Sequence, residues 1–257
     1  IFCEKPIHLD AERVRSCLAV VTETGAPLAV GFNRRFDPHF KEFKARLDAG
    51  TIGALEFVGI TSRDPGPPPV AYIRVSGGIF RDMMIHDLDI VLAFVRSPVE
   101  HVDAAGVRVL SESEDIANAR LRFANGCVAN LTVSRVSPES LRKIRVFSGG
   151  DEPGYVSLDY REQKGYHYRL ARDDEQESSM LKKIFAGKDS AIVSQFGGRR
   201  VVREPVPIQR EEPLKVELES FIRCVAEKQE PLVSGESARQ AIELALEITR
   251  QIQAQND

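Results

Sequence analysis

The segment from Gly77 to Asp89, GGIFRDMMIHDLD, sets Asp82, His86 and Asp89 among many apolar residues. In an α-helix each residue turns about 100°, so residues spaced four and three apart fall within roughly 60° of one another on one face. Ile85 and Leu88 then lie on other faces and anchor the helix in a core. A polar triplet on so apolar a helix is costly unless it lines a cleft. An aspartate one turn before a histidine can orient the ring and stabilise its charged form, which is what a general base needs near neutral pH. The same spacing also suits a solvated face held by i,i+4 pairing, and the residues alone leave both open.

Two further segments carry groups of the same kind. Cys3-Glu4-Lys5-Pro6 follows a short apolar stretch, and Pro6 stops the strand from continuing. A lysine at the carboxyl end of a parallel strand sits where open α/β sheets bind ligands. There it can polarise a substrate oxygen; otherwise it is a surface lysine in a turn. Asn33-Arg34-Arg35-Phe36-Asp37 directly follows the apolar stretch PLAVGF. Adjacent arginines at a strand end bind hydroxyls or phosphate through their forked donors, or pair with neighbouring carboxylates.

The elements that must position these groups are readable in outline. Asp10 caps a helix with Val14, Cys17, Leu18 and Val21 on one face, and Gly25 stops it. With a strand before it and Pro27–Phe32 after it, this is the order of a parallel α/β layer. Asp37-Pro38 opens a second helix, the stretch 54–62 is strand-like, and Pro65–Pro69 is a stiff loop. A strong helix is expected from about Ile79 to Val95. Strands then follow over 99–110, 116–123, 127–136, 141–147, 155–160 and 165–171. Asn125-Gly126 is expected to form a two-residue hairpin turn, and hairpins in series imply an antiparallel sheet. Helices over about 214–227 and 236–254 close the chain.

Composition narrows the function classes. The chain has 257 residues, 35 basic and 38 acidic, with a net charge of −3. That balance gives no electrostatic reason to expect nucleic acid or an anionic membrane as partner. No apolar run approaches the roughly 20 residues that span a bilayer. Cys3, Cys17, Cys127 and Cys224 are far apart with no C-x-x-C pair, which reads as isolated thiols in a reducing cytoplasm.

Taken together, CEKP at 3–6, VGFNRRFDP at 30–38, GGIFRDMMIHDLDI at 77–90 and PLVSGESARQAIELAL at 231–246 resemble the Gfo/Idh/MocA family of oxidoreductases across nearly the whole chain. The resemblance implies a remnant of a Rossmann domain over 1–32. An α+β substrate and oligomerisation domain follows over 33–230, with a large, mostly antiparallel open sheet flanked by helices. A last helix over 231–257 returns to the nucleotide domain. It implies NAD or NADP as cofactor, and Lys5, Asp82 and His86 as catalytic residues. Glu4, Lys5 and Arg34 would stand at the cofactor. Lys5, Asn33, Arg34, Asp82, His86 and Asp89 would stand at the substrate, and no metal is expected. The substrate would be a cyclitol, sugar or nucleotide sugar, with inositol 2-dehydrogenase chemistry favoured and a nucleotide-sugar 3-dehydrogenase as the alternative. Assembly would be a homodimer or homotetramer through the sheet face, in the cytoplasm. The family's G-x-G-x-x-G loop, which holds a pyrophosphate at a helix N-terminus, does not occur in these residues, so the resemblance implies a chain that begins inside its Rossmann domain. The tyrosine-bearing strand that touches inositol in inositol dehydrogenases is not evident in 134–160.

Two other classes stay open on the residues. Asp82, His86, Asp87 and Asp89 can be read as a divalent-metal site for hydrolysis, although His8, His39, His101 and His167 show no metal-ligand spacing to it. A non-catalytic module that binds sugar or forms oligomers is the other.

Overall fold

The computed structural model describes residues 1–150, 153–171, 191–196, 198–207 and 210–256. The chain opens with β1 (Phe2–Glu4), α1 (Ala11–Thr24) and β2 (Ala29–Gly31), and the two strands pair in parallel. Asp10 caps α1 by accepting from the Arg13 amide, and Gly25 ends it in the left-handed region at φ 63°. A single 3₁₀ turn (Asn33–Phe36) leads to α2 (Pro38–Asp48), which Asp37 caps through the His39 amide.

A nine-stranded sheet follows. Its strands are β3 (Ala54–Arg63), β4 (Val99–Val107), β5 (Ile116–Phe123), β6 (Val128–Ser134), β7 (Leu141–Gly149), β8 (Gly154–Asp159), β9 (Lys164–Leu170), β10 (Ala191–Phe196) and β11 (Arg199–Pro205). Their order is β10-β11-β9-β8-β7-β3-β6-β5-β4; β3 and β6 pair in parallel and the other neighbours are antiparallel. The expected mostly antiparallel sheet is present, and it is wider than the sequence reading named, because β10 and β11 carry no alternation strong enough to announce them.

Alternation decides the faces. Val58 and Ile60 of β3, Leu121 and Phe123 of β5, Leu131 and Val133 of β6, and Ile144 and Val146 of β7 all point to one buried side. That side is covered by α2, by α4 (Ile85–Val95) and by α6 (Gly235–Asn256), through residues such as Phe43, Phe94, Ile248 and Ile252. A second apolar cluster joins Val14, Leu28, Val30 and Phe32 to Ile85 of α4 and to Ala241 and Ile242 of α6. The β1-α1-β2 unit is thereby packed on the same two helices that cover the sheet. Two further helices complete the frame: α3 (Val70–Val75) and α5 (Pro213–Glu227).

Two local expectations need correction, and one helix is additional. The helix predicted over 79–95 is not α-helical throughout: Phe80–Met84 forms a π turn that runs into α4. The hairpin at Asn125-Gly126 is a three-residue loop. Gly126 alone takes a positive φ (87°), its amide bonds Phe123, and the Asn125 side chain accepts from Cys127. This is the loop in which a type I turn is followed by a left-handed glycine. The stretch after the stiff proline loop is the helix α3, which six residues without a capping side chain do not signal.

Candidate active site

The 3₁₀ turn after β2 explains how two adjacent arginines serve two carboxylates. Consecutive side chains in such a turn diverge by about 120°. Arg34 reaches Asp87, while Arg35 grips Asp89 through both oxygens at 2.8 and 2.6 Å and also bonds Ser237 of α6. Asp87 and Asp89 are both fully buried on α4, and a buried carboxylate is tolerable only when paired and hydrogen-bonded. The second partner of Asp87 is the Ser62 hydroxyl at 3.1 Å.

Lys5 projects from the carboxyl end of β1. Its ammonium donates to the Asp82 carbonyl at 2.8 Å, inside the π turn, and to Asp82 Oδ1 at 3.4 Å. The Tyr72 hydroxyl of α3 donates to the same Oδ1 at 2.9 Å. Lys5 and Asp82 thus come together from residues 77 apart in the chain.

His86 lies in the first turn of α4 with its ring edge-on to Phe32, centroids 5.7 Å apart. Its Nδ1 is buried and has no hydrogen-bond partner among the described residues. Burial, reinforced by the positive charges of Arg34, Lys5 and Arg142, holds the imidazole well below its usual 6.5. The ring is therefore neutral at physiological pH.

The far wall comes from the sheet. Ser62 of β3 stands opposite Arg142 of β7, and Tyr160 follows β8 with its amide on the Arg142 carbonyl. The Tyr160 hydroxyl meets Ser62 at 3.2 Å, and its ring lies 5.3 Å under the Arg34 guanidinium. Burial and the charge of Asp87 push the phenol up to about 12, so it is a protonated donor. Arg142 Nη2 bonds Asp64 Oδ1 at 2.5 Å.

Two expectations drawn from helical spacing do not hold. Asp89 is not on the cleft face: both its oxygens are taken by Arg35 in the interior. Asp82 makes no hydrogen bond to His86; its carboxylate turns to Lys5 and Tyr72. In the second case the competition is local: Asp82 Oδ1 is taken by the Lys5 ammonium and the Tyr72 hydroxyl. Arg34 does stand at the cleft, paired with Asp87. Asn33 is half-buried at the start of the 3₁₀ turn, and Glu4 is exposed beside Gly31, where the added Cβ of any other residue would meet its carboxylate at 2.8 Å. Among the described residues no three His, Cys, Asp or Glu side chains group so as to hold a metal ion. Asp82, Asp87 and Asp89, the carboxylates of the hydrolase reading, are each turned toward a cation.

Residues 40–149 match the model of the GFO/IDH/MocA C-terminal domain. A myo-inositol 2-dehydrogenase of Thermotoga maritima is 34% identical over 249 residues, which is 94% of this chain and 67% of that protein. The chain belongs to the GFO/IDH/MocA family. An inositol 2-dehydrogenase of Rhizobium meliloti is 68% identical over 141 residues, a stretch that is 52% of this chain and 43% of that relative, so the chain matches less than half of it. Among solved structures, a myo-inositol dehydrogenase from Corynebacterium glutamicum superposes with a TM-score of 0.72 at 30% identity, and a UDP-N-acetylglucosamine 3-dehydrogenase from Acidithiobacillus ferrooxidans with 0.78 at 25%; both alignments cover 98% of this chain and 70% of the other.

The sequence singles out Lys5, Asp82, His86 and Arg34 through residue types and family resemblance together. It misses Ser62, Asp64, Tyr72, Arg142 and Tyr160 as groups of the cleft. Ser62, Arg142 and Tyr160 are brought together by strand register alone, and no local pattern carries register between strands about 80 residues apart. No described helix is long and apolar enough to cross a membrane.

Proposed function

We propose that the protein is a dehydrogenase that oxidises a secondary hydroxyl of an uncharged cyclitol with a nicotinamide cofactor. The observation that carries this reading is the charge balance of the cleft. Each of the three cations around His86 is matched by a carboxylate: Lys5 by Asp82, Arg34 by Asp87, Arg142 by Asp64. Such a cleft binds hydroxyls through directed hydrogen bonds and offers no surplus positive charge to a diphosphate. The relatives named inositol dehydrogenases favour the same substrate class.

The roles follow from the geometry. His86, held neutral by burial and by the cations around it, takes the hydroxyl proton. Lys5 has three N–H donors and spends two on Asp82, which leaves one for the substrate oxygen as it becomes an alkoxide. Asp82 keeps Lys5 aimed. Glu4 and Lys5, at the carboxyl end of a parallel strand, fit the nicotinamide end of a dinucleotide, with Arg34 beside them. A bound NAD or NADP would supply the hydride acceptor. Assembly belongs to the same reading. On the sheet face away from the helices, Phe57, Phe147, Tyr155 and Tyr168 form a cross-strand row with centroids 5.7, 4.6 and 5.2 Å apart. Phe147 is 41% exposed, and an aromatic patch of this kind buries against a second copy.

The second reading, a nucleotide-sugar 3-dehydrogenase, is favoured by the backbone likeness to the Acidithiobacillus enzyme. The test is steady-state oxidation by the full-length protein, with NAD and NADP supplied in turn. Myo-inositol is expected to turn over and UDP-N-acetylglucosamine not; the reverse establishes the second reading. His86→Ala is expected to lower kcat by about 10²–10⁴-fold while nicotinamide affinity stays within about twofold. Near-normal turnover in that variant overturns the mechanism.

A further inference from the structure

The helix α3 is small and loosely anchored. Of its six residues only Ile73 is buried; Val70 and Val75 are 62% and 69% exposed. Before it runs Pro65-Gly66-Pro67-Pro68-Pro69, which is neither helix nor strand. After it come Gly77 and Gly78 at φ 81° and 85°. A Cβ on Gly78 would meet nothing within 4 Å, so that glycine serves the backbone conformation alone. Stiff chain on one side and a left-handed turn on the other leave α3 as a flap carried on its own joints.

Among the described residues, one side-chain hydrogen bond ties this flap to the rest of the fold, from Tyr72 Oη to Asp82 Oδ1 at 2.9 Å. That oxygen is also the one that Lys5 Nζ approaches at 3.4 Å. The Asp82 carboxylate therefore joins the flap to the lysine.

We propose that Tyr72 is a positioning residue: its phenol fixes the Asp82 carboxylate toward Lys5, so that docking of α3 over the cleft and assembly of the Lys5–Asp82 pair are one event. A carboxylate on a wide π turn, 20% exposed, otherwise has freedom to rotate toward water. The phenol removes that freedom from outside the cleft, and it acts through Asp82 without needing to touch the substrate. Two features of Tyr72 fit the role. Its hydroxyl is spent on Asp82 although the residue is 46% exposed. Its ionisation is held above the usual 10, first by burial of the hydroxyl and then by the hydrogen bond to, and charge of, Asp82. The inference rests on the reading of Lys5 and Asp82 as catalytic.

The first test needs no turnover. With ring-labelled tyrosine in the full chain, the Tyr72 resonance is assigned by its loss in Tyr72→Phe and titrated by NMR. In Asp82→Asn the phenol is expected to become about three- to tenfold more acidic, because a charged acceptor is lost at a partly exposed site. Hydrogen exchange of the α3 amides is expected to quicken several-fold in both Tyr72→Phe and Asp82→Asn, with α4 unchanged. Val75→Ser, which alters an exposed residue of the same helix and leaves the hydroxyl intact, is expected to change neither. An unmoved Tyr72 titration in Asp82→Asn, or unchanged α3 exchange in Tyr72→Phe, overturns the coupling. Turnover separates this inference from the one beneath it. Tyr72→Phe is expected to lower kcat several-fold with nicotinamide affinity unaltered. Loss of turnover in Asp82→Asn but not in Tyr72→Phe sinks the positioning role alone. Normal turnover in Asp82→Asn sinks the catalytic reading of the pair.

Discussion

His86 owes its neutral state to burial and to three neighbouring cations, not to the aspartate one turn before it. The sequence makes the opposite expectation natural, since an Asp-x-x-x-His spacing suggests an acid that supports the charged ring. The difference has a sign that can be measured. A ring disfavoured in its charged form titrates below 6.5, so the acid limb of kcat/KM, which reports the free enzyme's base, is expected below that value. Arg142→Met removes one of the cations and frees the Asp64 carboxylate, and both changes favour imidazolium. The NMR titration of His86 is expected to move upward in that variant; a midpoint that stays put would show that the distant charge does not reach the ring. Residue types and spacing, then, reveal polar groups on a helix that is otherwise built for a core. Which acid faces which base was hidden, because five polar groups of the cleft arrive from strands and from a flap whose placement is set by long-range packing.

At the scale of elements, long periodic stretches were legible and short or irregular ones were not. The alternation in β5, buried at every second residue, reads directly off the chain. The π turn at Phe80–Met84 does not, since it differs from an α-helix by one residue in the hydrogen-bond count and keeps nearly the same apolar spacing. The glycines before it are where the sequence did signal something unusual. At Gly77 an added Cβ would meet Arg81 Nε and Leu9 Cδ2, each at 2.8 Å, and Arg81 is itself bonded to the Gly77 and Leu9 carbonyls. At Gly78 the cost of a side chain is that of the left-handed backbone alone. Gly78→Ala is expected to cost about 1–2 kcal/mol, and Gly77→Ala more, because crowding adds to the same strain. Urea unfolding of the two variants checks the order, and equal losses would mean that Arg81 and Leu9 yield freely.

For the whole molecule, the junction between the β1-α1-β2 unit and α5 holds a charge problem that the fold leaves unsolved. Glu217 of α5 is 3% exposed, and its Oε1 has no hydrogen-bond partner among the described residues. It faces Glu4 from β1 and Asp89 from α4, the latter already committed to Arg35 of the 3₁₀ turn. Burial first, and then the repulsion of Glu4 and Asp89, push its carboxyl up to about 7 from the usual 4.5. A folded pKa raised above the unfolded one means that the native state binds the proton more tightly. The associated stability is fully present below pH 4.5 and is lost as pH rises through about 7. Over that window the loss is on the order of 1–3 kcal/mol. Glu217→Gln keeps the shape of the protonated acid and abolishes its ionisation. The variant is expected to gain on the wild type in thermal midpoint as pH rises from 4.5 to 7, and the gap is expected to level off above that. Thermal unfolding of both proteins across this range decides the matter. A gap that is constant with pH would show that Glu217 is ionised and compensated in the folded protein, and that the junction between these elements carries no proton.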